Sequence, residues 1–243
     1  MNEKYELTEE FKEIETLREG WLQKIKVYRI RALRAFADVK IGDLGGFVET
    51  KQNLSNMGNA WVCDNASVYG NAEVYGDAEV YGDAKVYGDA RVCNNARVCD
   101  NAEVYDNARV RDNARVYGNA WVCGDARVCG DAKVCNNARV YGNARVCDNA
   151  KVYGNAEVCG DAKVCDNANI FWCSSIGSRH ATTTMFRNED NGITVTCGCF
   201  VGTLEEFAAR VEKEHGENIF GKEYKLLIEL AKIHFGLQDK RRR

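Results

Sequence analysis

From Ala60 to Ile170 the chain repeats one short pattern of apolar and polar positions, and the stretch VYGNAEVYGDAEVYGDAKVYGDA (residues 68–90) shows it plainly. Counting Val as the first letter, hexads begin at Val62 and recur every six residues to Val164, with Ile170 opening the nineteenth and no insertion between. The fifth letter is Ala from Ala66 to Ala168, and Ala60 precedes the first hexad. Alternate residues of a strand share a face, so each Ala and the Val two places later point the same way. That side is the inside. The sixth letter, between them, points outward. The third letter is Gly, Asn or Asp from Asp64 to Asp166, the residue types that tolerate positive φ. The fourth is always Asn or Asp, from Asn65 to Asn167, whose side chains bond backbone groups at a bend. A short strand and a corner every six residues cannot bury an apolar face alone. Such units must stack, which predicts a β-solenoid with a Val and Ala core.

The flanks read differently. KVYRIRALRAF (26–36) alternates like a strand, and VKIGDLGGFVET (39–50) carries the Gly and Asp of a turn. Residues 9–25 fit an amphipathic helix through Phe11, Ile14, Leu17 and Leu22, with a hairpin arm as the alternative. NLSNMGNAWV (53–62) reads as an irregular first rung. After the repeat, NGITVTCGCF (191–200) predicts a strand. Thr203 and Glu206 then have capping-box spacing ahead of an amphipathic helix that ends near Gly216, and KEYKLLIELAKIHF (222–235) predicts a second. Both helices are expected to pack over the last coil. Residues 171–190 carry no clear pattern, and KRRR at 240–243 is a short basic run. The expected units are an N-terminal cap (1–53), the repeat (54–172) and a C-terminal strand and two-helix cap (173–243).

An inward aliphatic residue with a small residue two places before it, at period six, resembles the hexapeptide-repeat left-handed β-helix proteins. The segments GDLGGFVE before the repeat and CGCFVGTLEEF after it look similar to those of uncharacterised bacterial and phage members. The resemblance implies an all-β solenoid, a left-handed triangular parallel β-helix of about six coils, with a small β-rich N-terminal cap and an α-helical C-terminal cap. At about 4.8 Å per coil the prism is roughly 30 Å long. Strand edges exposed at its two ends require caps. The resemblance brings no established activity. A phage-encoded inhibitor that occludes a host defence component is the role that the framing segments suggest.

Composition narrows the classes. A formal net charge of −3 on 243 residues gives no bulk electrostatic signal for nucleic acid. The start, MNEKYELTEE, has no basic region followed by an apolar run, and no eighteen-residue apolar stretch occurs, so a soluble, cytoplasmic protein in a bacterial cell is expected, with no membrane partner. Nine of the 12 Cys occupy the second letter of the repeat, where Tyr substitutes freely. This argues against a disulfide framework or metal site, and no cofactor is called for. Stacking residues eighteen apart makes columns of the second letter. One of them reads Tyr75, Cys93, Arg111, Cys129, Cys147, Cys165, and its last three thiols lie within disulfide reach.

Many hexapeptide-repeat proteins are acyltransferases that use a His as general base. Here the three His, His180, His215 and His234, all lie outside the repeat, and no loop interrupts it to cradle a cofactor. His180 is the one candidate base, and an acyltransferase-like enzyme is the alternative reading. Metal-dependent relatives of the γ-carbonic anhydrase type need three His on one ion, which the repeat does not offer. A zinc site from Cys197, Cys199 and either Cys173 or His180 lacks paired spacing. An ice-binding face would need outward Thr arrays, and these positions are charged. The sixth letter holds the asymmetry. One outward column reads Glu73, Arg91, Arg109, Arg127, Arg145, Lys163, beside Arg111, and a second contains Arg97, Arg115, Lys133 and Lys151. A flat basic strip suits an anionic ligand, nucleic acid or acidic protein surface. Trp61 and Trp121, also at outward positions, suit a protein partner or a homo-oligomer contact. The sequence therefore points to a non-enzymatic binding protein that presents rigid faces.

Overall fold

The structure, a computed structural model, describes residues 3–18, 20–165, 170–188 and 190–237, the side chain of Arg18 excepted. The third- and fourth-letter residues Asp166 and Asn167, and the KRRR run, lie outside the described residues.

Eighteen two-residue strands, β4 (Trp61–Val62) to β21 (Lys163–Val164), form an all-β parallel solenoid. Each strand pairs in parallel with those eighteen residues away, so that Val98 lies between Val80 and Val116. Successive strands fall on three sheets in turn, giving six coils, and β3 (Leu44–Val48) with residues 54–60 begins a seventh at the N-terminal end. Among the described residues, the inward Val and Ala from Ala60 to Val164 are buried. No branched side chain larger than Val is needed, because three short sides leave room only for one Val and one Ala each.

The corners follow the third letter. Every residue at that position from Asp64 to Gly160 has positive φ, including Asn94 and Asp100, both at 61°. Third-letter carboxylates reach one coil further and accept from backbone N–H groups, as Asp64 does from Gly82 (3.0 Å) and Asp100 from Gly118 (2.9 Å). Fourth-letter amides form ladders along the edge. Asn95 donates to Asn113 (3.2 Å), which donates to Asp131 (3.0 Å). These bonds tie each corner to the next coil along the prism.

The N-terminal segment is a hairpin. β1 (Tyr5–Arg18) and β2 (Trp21–Ala32) pair antiparallel, with Phe11 opposite Tyr28 and Ile14 opposite Ile25, and β2 continues onto β3. The helix expected for residues 9–25 is therefore replaced by its alternative. The physical reason is cross-strand pairing: Glu13 faces Lys26 and Glu15 faces Lys24, while Ile25 and Val27 bury against Phe47 and Tyr69 on the prism. No helix could make both sets of contacts. A second correction concerns Trp61. Its position is outward in the hexad, yet it is 5% exposed, because Tyr5 and Phe36 meet it edge-on at ring-centre distances of 6.3 and 5.2 Å. Lys4 is buried beside it, donating to the Ala60 carbonyl at 2.8 Å.

At the other end, β22 (Ile170–Ile176), β23 (Ala181–Arg187), β24 (Ile193–Cys197) and β25 (Phe200–Thr203) make an antiparallel sheet. Ile170 and Phe186 join the solenoid core. Met185 and Val195 join the core formed with α1 (Leu204–His215) and α2 (Ile219–His234). The helices thus rest mainly on a sheet that closes the last coil, rather than on the coil itself. Sequence alone predicts one strand here because only residues 191–200 carry a clear pattern. The Thr203 and Glu206 capping box is present, with reciprocal bonds of 3.1 and 2.8 Å, and Gly216 at φ 50° ends α1.

Candidate anion-binding faces and corner columns

The parallel register places Glu73, Arg91, Arg109, Arg127, Arg145 and Lys163 side by side on one face. The next face carries Trp61, Glu79, Arg97, Arg115, Lys133 and Lys151. The corner between them is the column containing Arg111, so the two basic faces are continuous around that edge. Their two acidic residues are each taken by one neighbour: Glu73 pairs with Arg91 (3.6 Å) and Glu79 with Arg97 (3.1 Å). Arg111 approaches the adjacent Asp112 at 3.9 Å. Among the described residues, Arg109, Arg127, Arg115, Lys133 and Lys163 make no ion pair. Shallow depressions lie over Arg127 and Arg145, where Asp125 and Asp161 also form the lining, and over Arg97, Arg115 and Lys133.

The third face is different in kind. Ser67, Lys85, Glu103, Trp121, Arg139 and Glu157 stack there, and the charges cancel within the face: Lys85 pairs with Glu103 and Arg139 with Glu157, each at 3.3 Å. Trp121 is 40% exposed, with the Arg139 guanidinium 5.0 Å from its ring centre. The hairpin overlies the N-terminal part of this face. Between them opens a cleft of about 890 Å³ lined by Tyr69, Tyr87 and Tyr105, with Glu15, Glu49 and Asp89 at its edge. This cleft was not legible in the sequence, since it depends on where the arm lies.

The second-letter columns explain most of the thiols. Tyr69, Tyr87 and Tyr105 stack with ring centres 5.0 Å apart and planes within 4° of parallel. Elsewhere a Tyr hydroxyl lies near the Cys one coil on, Tyr81 near Cys99 and Tyr117 near Cys135. The neighbouring thiol, then burial, pushes both hydroxyls up to about 12. Burial raises Cys99, Cys123, Cys129 and Cys159 as well, and Cys63 to about 11. All twelve cysteines are free.

The three His lie apart from one another. His180 lies exposed in the turn between β22 and β23 at φ 47°, its backbone N–H bonded to the Gly177 carbonyl at 3.1 Å. His215 packs against the rings of Phe220 and Tyr224 at the end of α1, and His234 lies between Phe171 and Phe235. Cys173, Cys197, Cys199 and His180 do not converge on one point; among the described residues the metal-type donors brought together are Cys147, Asp148 and Cys165. No helix among the described residues is long and apolar enough to cross a membrane.

These features define a capped parallel β-solenoid that offers a rigid scaffold consistent with an interaction surface. Residues 108–124, 126–148 and 138–154 match the family described as the YdcK Beta solenoid repeat, and over those stretches the chain is similar to that family. No curated protein matches the chain.

Proposed function

We propose that this is a non-enzymatic binding protein whose two adjoining basic faces engage an anionic macromolecule. One observation carries the reading. On the third face the stacked charges neutralise one another, whereas on the basic faces Arg109, Arg127, Arg115, Lys133 and Lys163 stand in register without an acidic partner among the described residues. Repulsion between stacked cations is relieved when an anion lies along them, so the surface favours a polyanion over water. A nucleic acid or an acidic protein surface meets that requirement. A phage-encoded inhibitor of a host defence component would use the same faces as a blocking surface, and Trp121 gives a protein partner or a second copy an aromatic anchor.

The test uses a labelled oligonucleotide and an oligo-glutamate peptide, titrated with the full chain over a range of salt. Binding of at least one of them, weakening steeply with salt, is expected for the wild type. A variant with Arg91, Arg109, Arg127 and Arg145 all changed to Glu should bind at least tenfold more weakly. Equal binding by the two proteins, or none by the wild type to either probe, overturns the proposal. Capture from a lysate with the same pair of proteins then identifies the partner.

A further inference from the structure

In two of the three second-letter columns no two cysteines are neighbours: Tyr or Phe separates them, and the Tyr hydroxyl fills the space above the next thiol. The third column breaks this rule. Cys129, Cys147 and Cys165 follow one another on consecutive coils with no aromatic ring between them, so the corner there carries a strip of half-buried sulfur. The thiols of Cys147 and Cys165 are neighbours, and the exposed carboxylate of Asp148, held at the corner with φ 54°, lies close to both. One ligand atom from each of Cys147, Asp148 and Cys165 lies within 4.8 Å of the other two.

From this geometry we infer a binding site for a thiophilic divalent cation of the zinc and cadmium class, held by the Cys147 and Cys165 thiolates and the Asp148 carboxylate. Two sulfurs on a tetrahedral zinc stand about 3.8 Å apart at Zn–S distances of about 2.3 Å, a spacing that small χ1 adjustments reach from neighbouring coils. The fourth position falls to water or to Cys129, one coil before Cys147 in the same column. A disulfide fits less well. Side chains on in-register parallel strands keep the coil spacing of about 4.8 Å, whereas a relaxed disulfide wants Cβ atoms about 3.8 Å apart. A bridging ion accommodates that spacing without moving the backbone. Binding releases the two thiol protons to solvent, and no electron is transferred.

The experiment takes the full chain, reduced and metal-free, and adds Zn²⁺, Cd²⁺ or Co²⁺ alone. One ion per chain by native mass spectrometry is expected, with the thiolate charge-transfer and tetrahedral d–d bands of Co²⁺. Bound Cd²⁺ should protect Cys147 and Cys165 from alkylation. Cys147→Ser with Cys165→Ser should weaken Zn²⁺ binding at least tenfold and abolish the Co²⁺ bands, and Asp148→Asn should weaken it less. Cys197→Ser with Cys199→Ser is the control and should leave binding unchanged. If the wild type takes up no stoichiometric ion, or the Cys147/Cys165 variant binds as tightly as wild type while remaining folded by circular dichroism, the assignment is wrong. Loss of both free thiols to a Cys147–Cys165 disulfide under these reducing conditions also overturns it.

Discussion

Arg127→Glu should make the protein more stable and a poorer binder at once. Arg127 is stacked between Arg109 and Arg145 in the parallel register, at a coil spacing of about 4.8 Å. At about 5 Å in water two like charges repel by roughly 0.8 kcal/mol, so the two neighbours together disfavour Arg127 by about 1.6 kcal/mol. A carboxylate there turns both terms attractive, a swing of about 3 kcal/mol before screening. The side chains of this column are exposed to water, and the Debye length in physiological salt is about 8 Å, so about 1 kcal/mol is expected to survive. The fold accepts the substitution: Glu73 already occupies the equivalent place beside Arg91, and Glu79 beside Arg97. For a chain of this size the melting temperature should rise by about 2–4 °C at low salt. The gain should shrink as salt is added, while affinity for a polyanion falls. A variant that melts below wild type at low salt, or whose gain ignores salt, would refute the idea that the ladder is held under electrostatic tension.

Other expectations concern the core and the N-terminal cap. Lys4, fully buried, is lowered from its usual 10.5 to about 8 by burial and then by Arg34. Between those values the unfolded chain holds a proton that the folded one does not, so Lys4 makes folding more favourable as pH rises through the window, by about 3 kcal/mol. Because raised Tyr and Cys groups titrate in the opposite sense, the measurement is the stability of wild type minus that of Lys4→Met. This difference should be flat below pH 8 and climb towards pH 10.5, and a level difference throughout counts against the buried charge. Ala114→Glu places an unpaired carboxylate in a core position with no exposure, and soluble yield should collapse; an unchanged melting temperature would mean that Ala does not point inward. Gly46→Ala would set a Cβ 2.7 Å from the Ala66 carbonyl oxygen, where β3 joins the prism, and should lower stability by about 1–3 kcal/mol, seen as early melting and protease cleavage within the hairpin.

The repeat was legible because each of its letters answers to one local demand. Inward positions must be small and apolar, corners must accept positive φ, and a period of eighteen residues brings like beside like, so the basic column from Arg91 to Lys163 could be read before any coordinate. The ends were less legible because their structure depends on contacts between distant segments. Phe11, Ile14, Leu17 and Leu22 satisfy a helical spacing, and only the opposing strand, with Lys24 and Lys26 across from Glu15 and Glu13, decides for a hairpin. Trp61 looks exposed by its letter and is covered by Tyr5 and Phe36, residues that no hexad rule connects to it. The thiol run at 129, 147 and 165 was visible as a column, but Asp148 was not, since a third-letter residue reads as a corner and its side chain's direction is a matter of three dimensions.

The absence of any insertion between Ala60 and Ile170 turns the prism into a ruler graduated in coils. Adding or deleting one block of eighteen residues would lengthen or shorten every face by a single step of about 4.8 Å and leave both caps on matching surfaces. The reach of the protein along a partner is therefore a countable quantity that duplication can change without redesigning any contact. Such a molecule can be refitted to a longer or shorter target by copying what it already contains.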